Sequence, residues 1–275
     1  GFAGMSFVLI KKEGRDKDRI IICAVTVAAI LLRTFYVLYT GAEQRQHDVG
    51  EFDTYLENNY HAEYIEYLLE NHRLLDEDVR LHWQFYPPPL HHIISALFFG
   101  VYRSLSPSMA HNWDALQALS LLWSLITMAA SRRIIAMAGF SSKGEILAYL
   151  IAAMHPQLIV FSGALNNDPL SVMFSLLAVY FILKWYEDKK NHHLYLSSVM
   201  LGLGMMAKLS AGLAAVPVAY LMVRNLIRSD RRIRCFLNYA GYVMICAPLG
   251  LWYQIRSYVL WKVPLNYLEI GRAHV

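Results

Sequence analysis

The sequence predicts an all-α, polytopic transmembrane protein, and three observations carry that prediction. Of its 275 residues 56% are hydrophobic and only 17% are charged, where soluble domains carry roughly 25% charged residues. Mean hydropathy is positive, at +0.32. The apolar residues are gathered into stretches close to the ~20 residues that a helix needs to cross a bilayer. A formal charge of +4 does not point to nucleic acid, because the basic residues sit in short clusters between apolar stretches, a pattern that reports membrane orientation. Cys23, Cys235 and Cys246 are odd in number and two fall in apolar segments, so structural disulfides are not expected.

Seven segments are expected to span: 20–40, 114–138, 145–163, 169–186, 194–209, 211–226 and 236–254. The first is too long for a signal-peptide core and lacks a small-residue cleavage site, so it is read as a retained span. An eighth apolar stretch, Leu90 to Leu105, decides the topology. If it crossed, the basic clusters after it would alternate between the two sides. If it lies in the interface, Lys11, Lys12, Arg15, Lys17 and Arg19 share one side with Arg132, Arg133 and Lys143, with Lys184, Lys189 and Lys190, and with Arg224, Arg228, Arg231, Arg232 and Arg234. That puts 16 of the 25 basic residues in the cytoplasm, as the positive-inside bias prefers. About 16 residues with polar ends also suit an interfacial helix.

The loop between the first two spans, residues 41–113, is then extracytoplasmic. With Asp114 at its edge it carries 12 of the 21 acidic residues but only 4 of the 25 basic ones. Within it, Tyr60 to Glu70 sets Ile65, Leu68 and Leu69 on one side and Glu63, Glu66 and Glu70 on another, the pattern of an amphipathic helix. Pro87-Pro88-Pro89 must be extended, since proline lacks an amide donor and disfavours a helical predecessor. Residues 1–268 are read as a single membrane domain. The tail Glu269 to Val275 matches one reading frame of a common sequencing adapter, so it is expected to be non-native and the chain an amino-terminal fragment.

Several residues are placed to do chemistry on the outer face. Asp48 follows the first span, where a carboxylate can act as general base if held within about 3 Å of the proton it takes. Asp168, after Asn166-Asn167 and before Pro169, also has the pattern of a helix cap. Lys208 and Arg256 are basic residues beside the outer leaflet, suited to point and bidentate phosphate contact respectively, although snorkelling at a helix end gives the same pattern. Arg33 inside the first span calls for a partner or a cavity. Seven of the 11 histidines fall in or beside the acidic loop, but no HExxH-type spacing appears, so no metal is expected. Trp83, Phe85 and Tyr86 fit an interfacial aromatic belt or a stacking surface for a sugar.

These elements, in this order, resemble the GT-C superfamily of membrane glycosyltransferases, which includes protein O-mannosyltransferases and the lipid A aminoarabinose transferase. The resemblance rests on Asp48 after the first span, Pro88-Pro89-Leu90 leading into the interfacial helix, and Asp168 opening a span after the basic turn at Arg132-Arg133. It continues through Gly202-Leu203-Gly204-Met205-Met206-Ala207-Lys208 and Arg256. It implies inverting transfer of a sugar from a polyprenyl phosphate donor to a protein, lipid or glycan acceptor, with Asp48 as base and no cofactor. Some relatives carry an Asp-Glu pair after the first span, where this chain has His47-Asp48 and then Glu51 and Asp53, which can share or replace the role. They also often place a basic residue before Pro-Pro-Leu, where this chain has Pro87. A transporter or other non-enzymatic membrane protein is the competing expectation, and a polymerase or ligase using lipid-linked glycans shares the predicted topology. The site is expected to face out of the cell membrane.

Overall fold

The computed structural model describes residues 2–48, 60–82, 84–109, 112–265 and 267. Glu51, Asp53, Trp83 and the tail Glu269–Val275 lie outside the described residues. Among those described, every regular element is a helix. They are α1 (Phe2–Tyr39), α2 (Tyr60–Asn71), α3 (Leu90–Leu105), α4 (Gln117–Met137), α5 (Ser142–Ala153), α6 (Pro156–Val160), α7 (Asp168–Asp188), α8 (Asn191–Ala207), α9 (Ala215–Arg228) and α10 (Arg232–Trp261). Five stretches are long and apolar enough to cross a membrane: Asp16–Tyr39, Trp113–Met137, Asp168–Asp188, Leu209–Arg228 and Arg232–Trp261. The chain is an integral, multi-pass, all-α membrane protein.

Two of the seven expected spans take a different form. Segment 145–163 is broken at His155-Pro156 into α5 and α6, because proline cannot donate to the preceding turn. Segment 194–209 becomes the 17-residue α8, joined to α9 by a tight 3-10 stretch, Leu209–Ala214. Large apolar side chains such as Ile20, Leu38, Val216, Phe236 and Met244 point away from the protein, as lipid-facing residues do.

Without a hydrophobic drive between helices in lipid, close backbone approach and interhelical hydrogen bonds hold the bundle together. At Gly202 a Cβ would lie 2.7 Å from Leu249 Cβ, and at Gly250 one would lie 2.9 Å from Met205 Cβ. The Gly202-Leu203-Gly204 segment therefore lets α8 and α10 touch. The Ser197 hydroxyl donates to the Ala178 carbonyl at 2.8 Å and that of Ser198 to the Tyr242 carbonyl at 2.6 Å. Arg33, 1% exposed, finds no carboxylate. Its Nε donates to Ser124 Oγ at 2.9 Å, and its Nη1 to the carbonyls of Ala29 at 3.1 Å and Ala153 at 2.8 Å. Ala153 ends α5, so its carbonyl has lost its helical donor, and Arg33 replaces it while fastening α1, α4 and α5 together.

The helices run up and down, and short turns gather α1's end, α4's start, α7's start, α8's end and the last turns of α10 at one end of the bundle. Arg132, Lys143, Lys184, Lys190, Arg224 and Arg231 collect at the other. The helix α3 has the predicted bounds and does not run the bundle's length. Leu90 and Ile94 pack with Trp123, Leu170, Met173 and Ala207, while Phe99 meets Trp113 with ring centroids 4.8 Å apart, all within the nearer half of α4, α7 and α8. The helix α2 lies on α3, with Ile65 buried and Leu68 nearly so. Arg103 of α3 holds both carboxylate oxygens of Glu66, at 2.9 and 2.5 Å.

Candidate active site

The first span ends in a tight turn that presents Asp48. Arg45–His47 forms a single 3-10 turn, and Asp48 closes it in the left-handed conformation, φ 56° and ψ 33°, a region aspartate tolerates better than most residues. Three contacts anchor the turn through buried His47. Its Nδ1 donates to the Gly41 carbonyl at 2.7 Å, its Nε2 lies 3.0 Å from the Tyr36 hydroxyl, and its carbonyl accepts from the Leu165 amide at 3.0 Å. Burial lowers the His47 pKa, partly offset by the Gly41 carbonyl and by Asp114. Asp114 has a structural role: its Oδ1 accepts from the Ala42 amide at 2.6 Å, closing the ends of the acidic loop.

Asp48 is half exposed and lines a cavity of about 510 Å³. Pro87 and Pro88 form part of its wall, together with Gln254 and Ser257 of α10 and Lys208; Pro89, expected to be extended like them, instead turns into α3 as its cap with φ −86° and ψ 4°. Lys208 caps α8 in an extended conformation, and its Nζ meets Asp168 Oδ1 at 2.5 Å. Asp168 is the first residue of α7 and not its cap. Its amide takes Asn166 Oδ1 at 3.0 Å, so the carboxylate is left for Lys208. The cavity thus has a half-exposed carboxylate and an ammonium steadied by a second carboxylate.

One expected member stands apart. Arg256 does not line this cavity. Its Nη2 donates to the Leu75 carbonyl at 2.6 Å, its guanidinium lies 4.8 Å from the centre of the Trp261 ring, and Nη1 is buried with no hydrogen-bond partner among the described residues. One helical turn before Ser257, Gln254 faces the Asp48 cavity, while Arg256 sits on a different face of α10, beside an apolar groove with Val259 and Leu260. Of the four residues expected to share one cavity, Asp48 and Lys208 line it, Asp168 reaches it only through its contact with Lys208, and Arg256 is turned away.

Sequence reasoning weighed the histidines at the cavity's back only as a metal site and gave them no part in the chemistry. His61 of α2 lines it, with Nε2 3.7 Å from Asp48 Oδ2 and Nδ1 2.8 Å from His92 Nε2. His91 Nε2 lies 3.1 Å from the Leu165 carbonyl. All three rings are almost wholly buried. Burial, reinforced by the neighbouring His61, pushes the His91 pKa down to about 3 and that of His92 well below its ordinary value, so both are neutral. The sequence signal was the crowding of histidines into two facing amphipathic helices, and no metal-type spacing drew attention to it.

The family described as dolichyl-phosphate-mannose-protein mannosyltransferase matches residues 88–252, well over half of the chain. The chain belongs to this family. The matched stretch opens on Pro88-Pro89-Leu90 and includes Asp168 and Lys208, while Asp48 and Arg256 lie outside it. Membership makes the chain a membrane glycosyltransferase of the GT-C type. A comparison with curated proteins gives no match.

Proposed function

We propose that this mannosyltransferase-family protein moves a sugar from a polyprenyl phosphate donor to an acceptor hydroxyl on the extracytoplasmic face, with Asp48 as general base. The observation that carries the proposal is that Asp48 and Lys208, 160 residues apart in sequence, line the same cavity. The acceptor oxygen attacks the anomeric carbon opposite the phosphate, the C–O bond to phosphate breaks, and the polyprenyl phosphate departs, inverting the centre. Asp48 takes the hydroxyl proton as the new bond forms, so the nucleophile gains charge only where the carboxylate can relieve it.

Negative charge grows on the departing phosphate, and a pre-placed cation there is worth most in a site with little water. Lys208 supplies it. An ammonium has three donors, and the one aimed at Asp168 leaves two for phosphate oxygens. Asp168 is therefore a positioning residue. The apolar wall beside Leu209 and Leu213 suits the first units of a prenyl chain. Glu51 and Asp53, three and five residues beyond Asp48, are assigned to acceptor binding. No nucleotide is needed, because the phosphate linkage already carries the driving force. The donor sugar is proposed to be mannose or a close relative and the acceptor a protein, following the family's description.

The test is Asp48→Asn in membranes supplied with a polyprenyl phosphate sugar. Turnover should fall by about 10²- to 10⁴-fold with binding of the lipid donor retained. Turnover equal to the parent's would refute the assignment. Measuring solute uptake in the same vesicles separates a transporter: uptake without consumption of lipid-linked sugar would overturn the reading.

A further inference from the structure

Three nearly dry imidazoles behind Asp48 need a reason, because a buried polar ring without partners costs stability. His61, His91 and His92 are 2%, 1% and 0% exposed. His61 and His92 stack with ring centroids 5.1 Å apart and planes at 22°, and Tyr64 covers the other flank of His92 at 4.7 Å. Two of their nitrogens, Nδ1 of His91 and Nδ1 of His92, have no hydrogen-bond partner among the described residues.

Those two orphans determine where the protons sit. A buried N–H without an acceptor is rarer than an acceptor without a donor, so each orphan is a lone pair. His91 then carries its proton on Nε2 and donates to Leu165. His92 likewise carries its proton on Nε2 and donates to His61 Nδ1 across 2.8 Å. A neutral imidazole has one donor and one acceptor, so His61, accepting at Nδ1, must carry its proton on Nε2. That N–H faces Asp48 Oδ2 at 3.7 Å, about 0.7 Å beyond a normal hydrogen bond, a gap of the kind that closes when an active site fills. The opposite arrangement would set a lone pair against the carboxylate and bury an unused N–H at His92.

We propose that the His92–His61 pair is a positioning device for the base: His92 sets the His61 tautomer, and His61 donates to Asp48 Oδ2, leaving Oδ1 to face the acceptor hydroxyl. This rests on Asp48 being the base. His61 is then a positioning residue that neither gives nor takes the transferred proton. The proton goes from the acceptor oxygen to Asp48, and none passes to the histidines. Asp48 is half exposed and sits on a short turn, so without a donor behind it the carboxylate would sample several rotamers. A misplacement near 1 Å costs about a hundredfold in rate.

The experiment compares His61→Ala, His61→Gln, Asp48→Asn and the Asp48→Asn/His61→Ala double variant, in membranes and in purified form. His61→Ala should lower kcat by about ten- to a hundredfold while KM for the lipid-linked sugar stays within about twofold. His61→Gln, whose Nε2 amide donor replaces the imidazole Nε2–H, should restore most of the rate. In the Asp48→Asn background, His61→Ala should cost nothing further, because the two act as a unit. Loss of Asp48→Asn activity together with unchanged kcat in His61→Ala overturns the positioning role and leaves the base intact. Unchanged turnover in Asp48→Asn overturns both. Equal losses in the alanine and glutamine variants, tracking a drop in Tm, would show that His61 only packs and would also overturn the proposal.

Discussion

Gly163→Ala joins the packing of the bundle to the chemistry at its end. Gly163 ends the turn after α6, and its φ is not in the left-handed region, so the added methyl meets no backbone penalty and the effect is purely steric. A Cβ there would stand 2.9 Å from His47 Nε2, 3.1 Å from His47 Cε1 and 3.1 Å from Tyr36 Cε1. Since unstrained contacts begin near 3.5 Å, the ring must retreat by about 0.6 Å. His47 cannot turn aside freely: it is fully buried, and Tyr36, Gly41 and Leu165 hold it at three points. Overpacking of this kind costs about 1–3 kcal/mol, which lowers Tm by about 2–8 °C for a chain of this size. The displacement passes to the next residue, Asp48, so kcat should fall at least about tenfold even well below Tm. Thermal unfolding in detergent and sugar transfer at low temperature measure the two effects separately. Unchanged Tm would refute the tight fit at His47, and lowered Tm with parental kcat would refute the coupling of His47 to Asp48.

Further outcomes follow from other contacts. Arg33→Met should lose about 3 kcal/mol or more, because the α5 terminus at Ala153 and the Ser124 hydroxyl lose a charged donor, and denaturant unfolding in micelles would detect it. Lys208→Met should reduce kcat about a hundredfold and Asp168→Asn about tenfold, while the double variant matches Lys208→Met alone; losses that multiplied in the double variant would rule out Asp168 acting through Lys208. Burial lowers the pKa of His91 and His92, so the unfolded chain, with histidines near 6.5, binds more protons than the folded one below that pH. The stability they contribute is full above about pH 6.5 and falls as pH drops towards about 3, by up to about 1.4 kcal/mol per pH unit for each histidine. His91→Asn should flatten the fall of Tm between pH 7 and pH 5, and an unaltered slope would show that the ring is not held neutral.

Much of the architecture was legible because a bilayer enforces simple rules. Helix length, basic clusters and proline positions placed the bounds of α3 to the residue and those of α2 to within one. Positions 155–156 were misjudged as part of an unbroken span, since hydropathy averages over a proline that ends the helix ahead of it, and the Ala153 carbonyl released at that end is taken by Arg33. Arg33 was recognised as needing a partner, but a guanidinium satisfied by one hydroxyl and two carbonyls leaves no charge pattern in the sequence. The histidine pair escaped for a similar reason: His61 and His92 are 31 residues apart on different helices, and only the packing of α2 on α3 brings their rings together.

The amino-acid sequence by itself determined that this is an all-α membrane protein, which segments are helical, and that Asp48, Asp168 and Lys208 fall near helix ends. These are consequences of local composition, and each residue contributes without knowing its distant neighbours. Tertiary structure alone decided which of them meet. Lys208 turns towards Asp168 and the Asp48 cavity, Arg256 turns to Leu75 and Trp261, and His61 comes to stand behind Asp48. Side-chain direction depends on how each helix is rotated against its neighbours, and that rotation is set by close approaches such as Gly202 on Leu249 and Gly250 on Met205, which no single segment encodes.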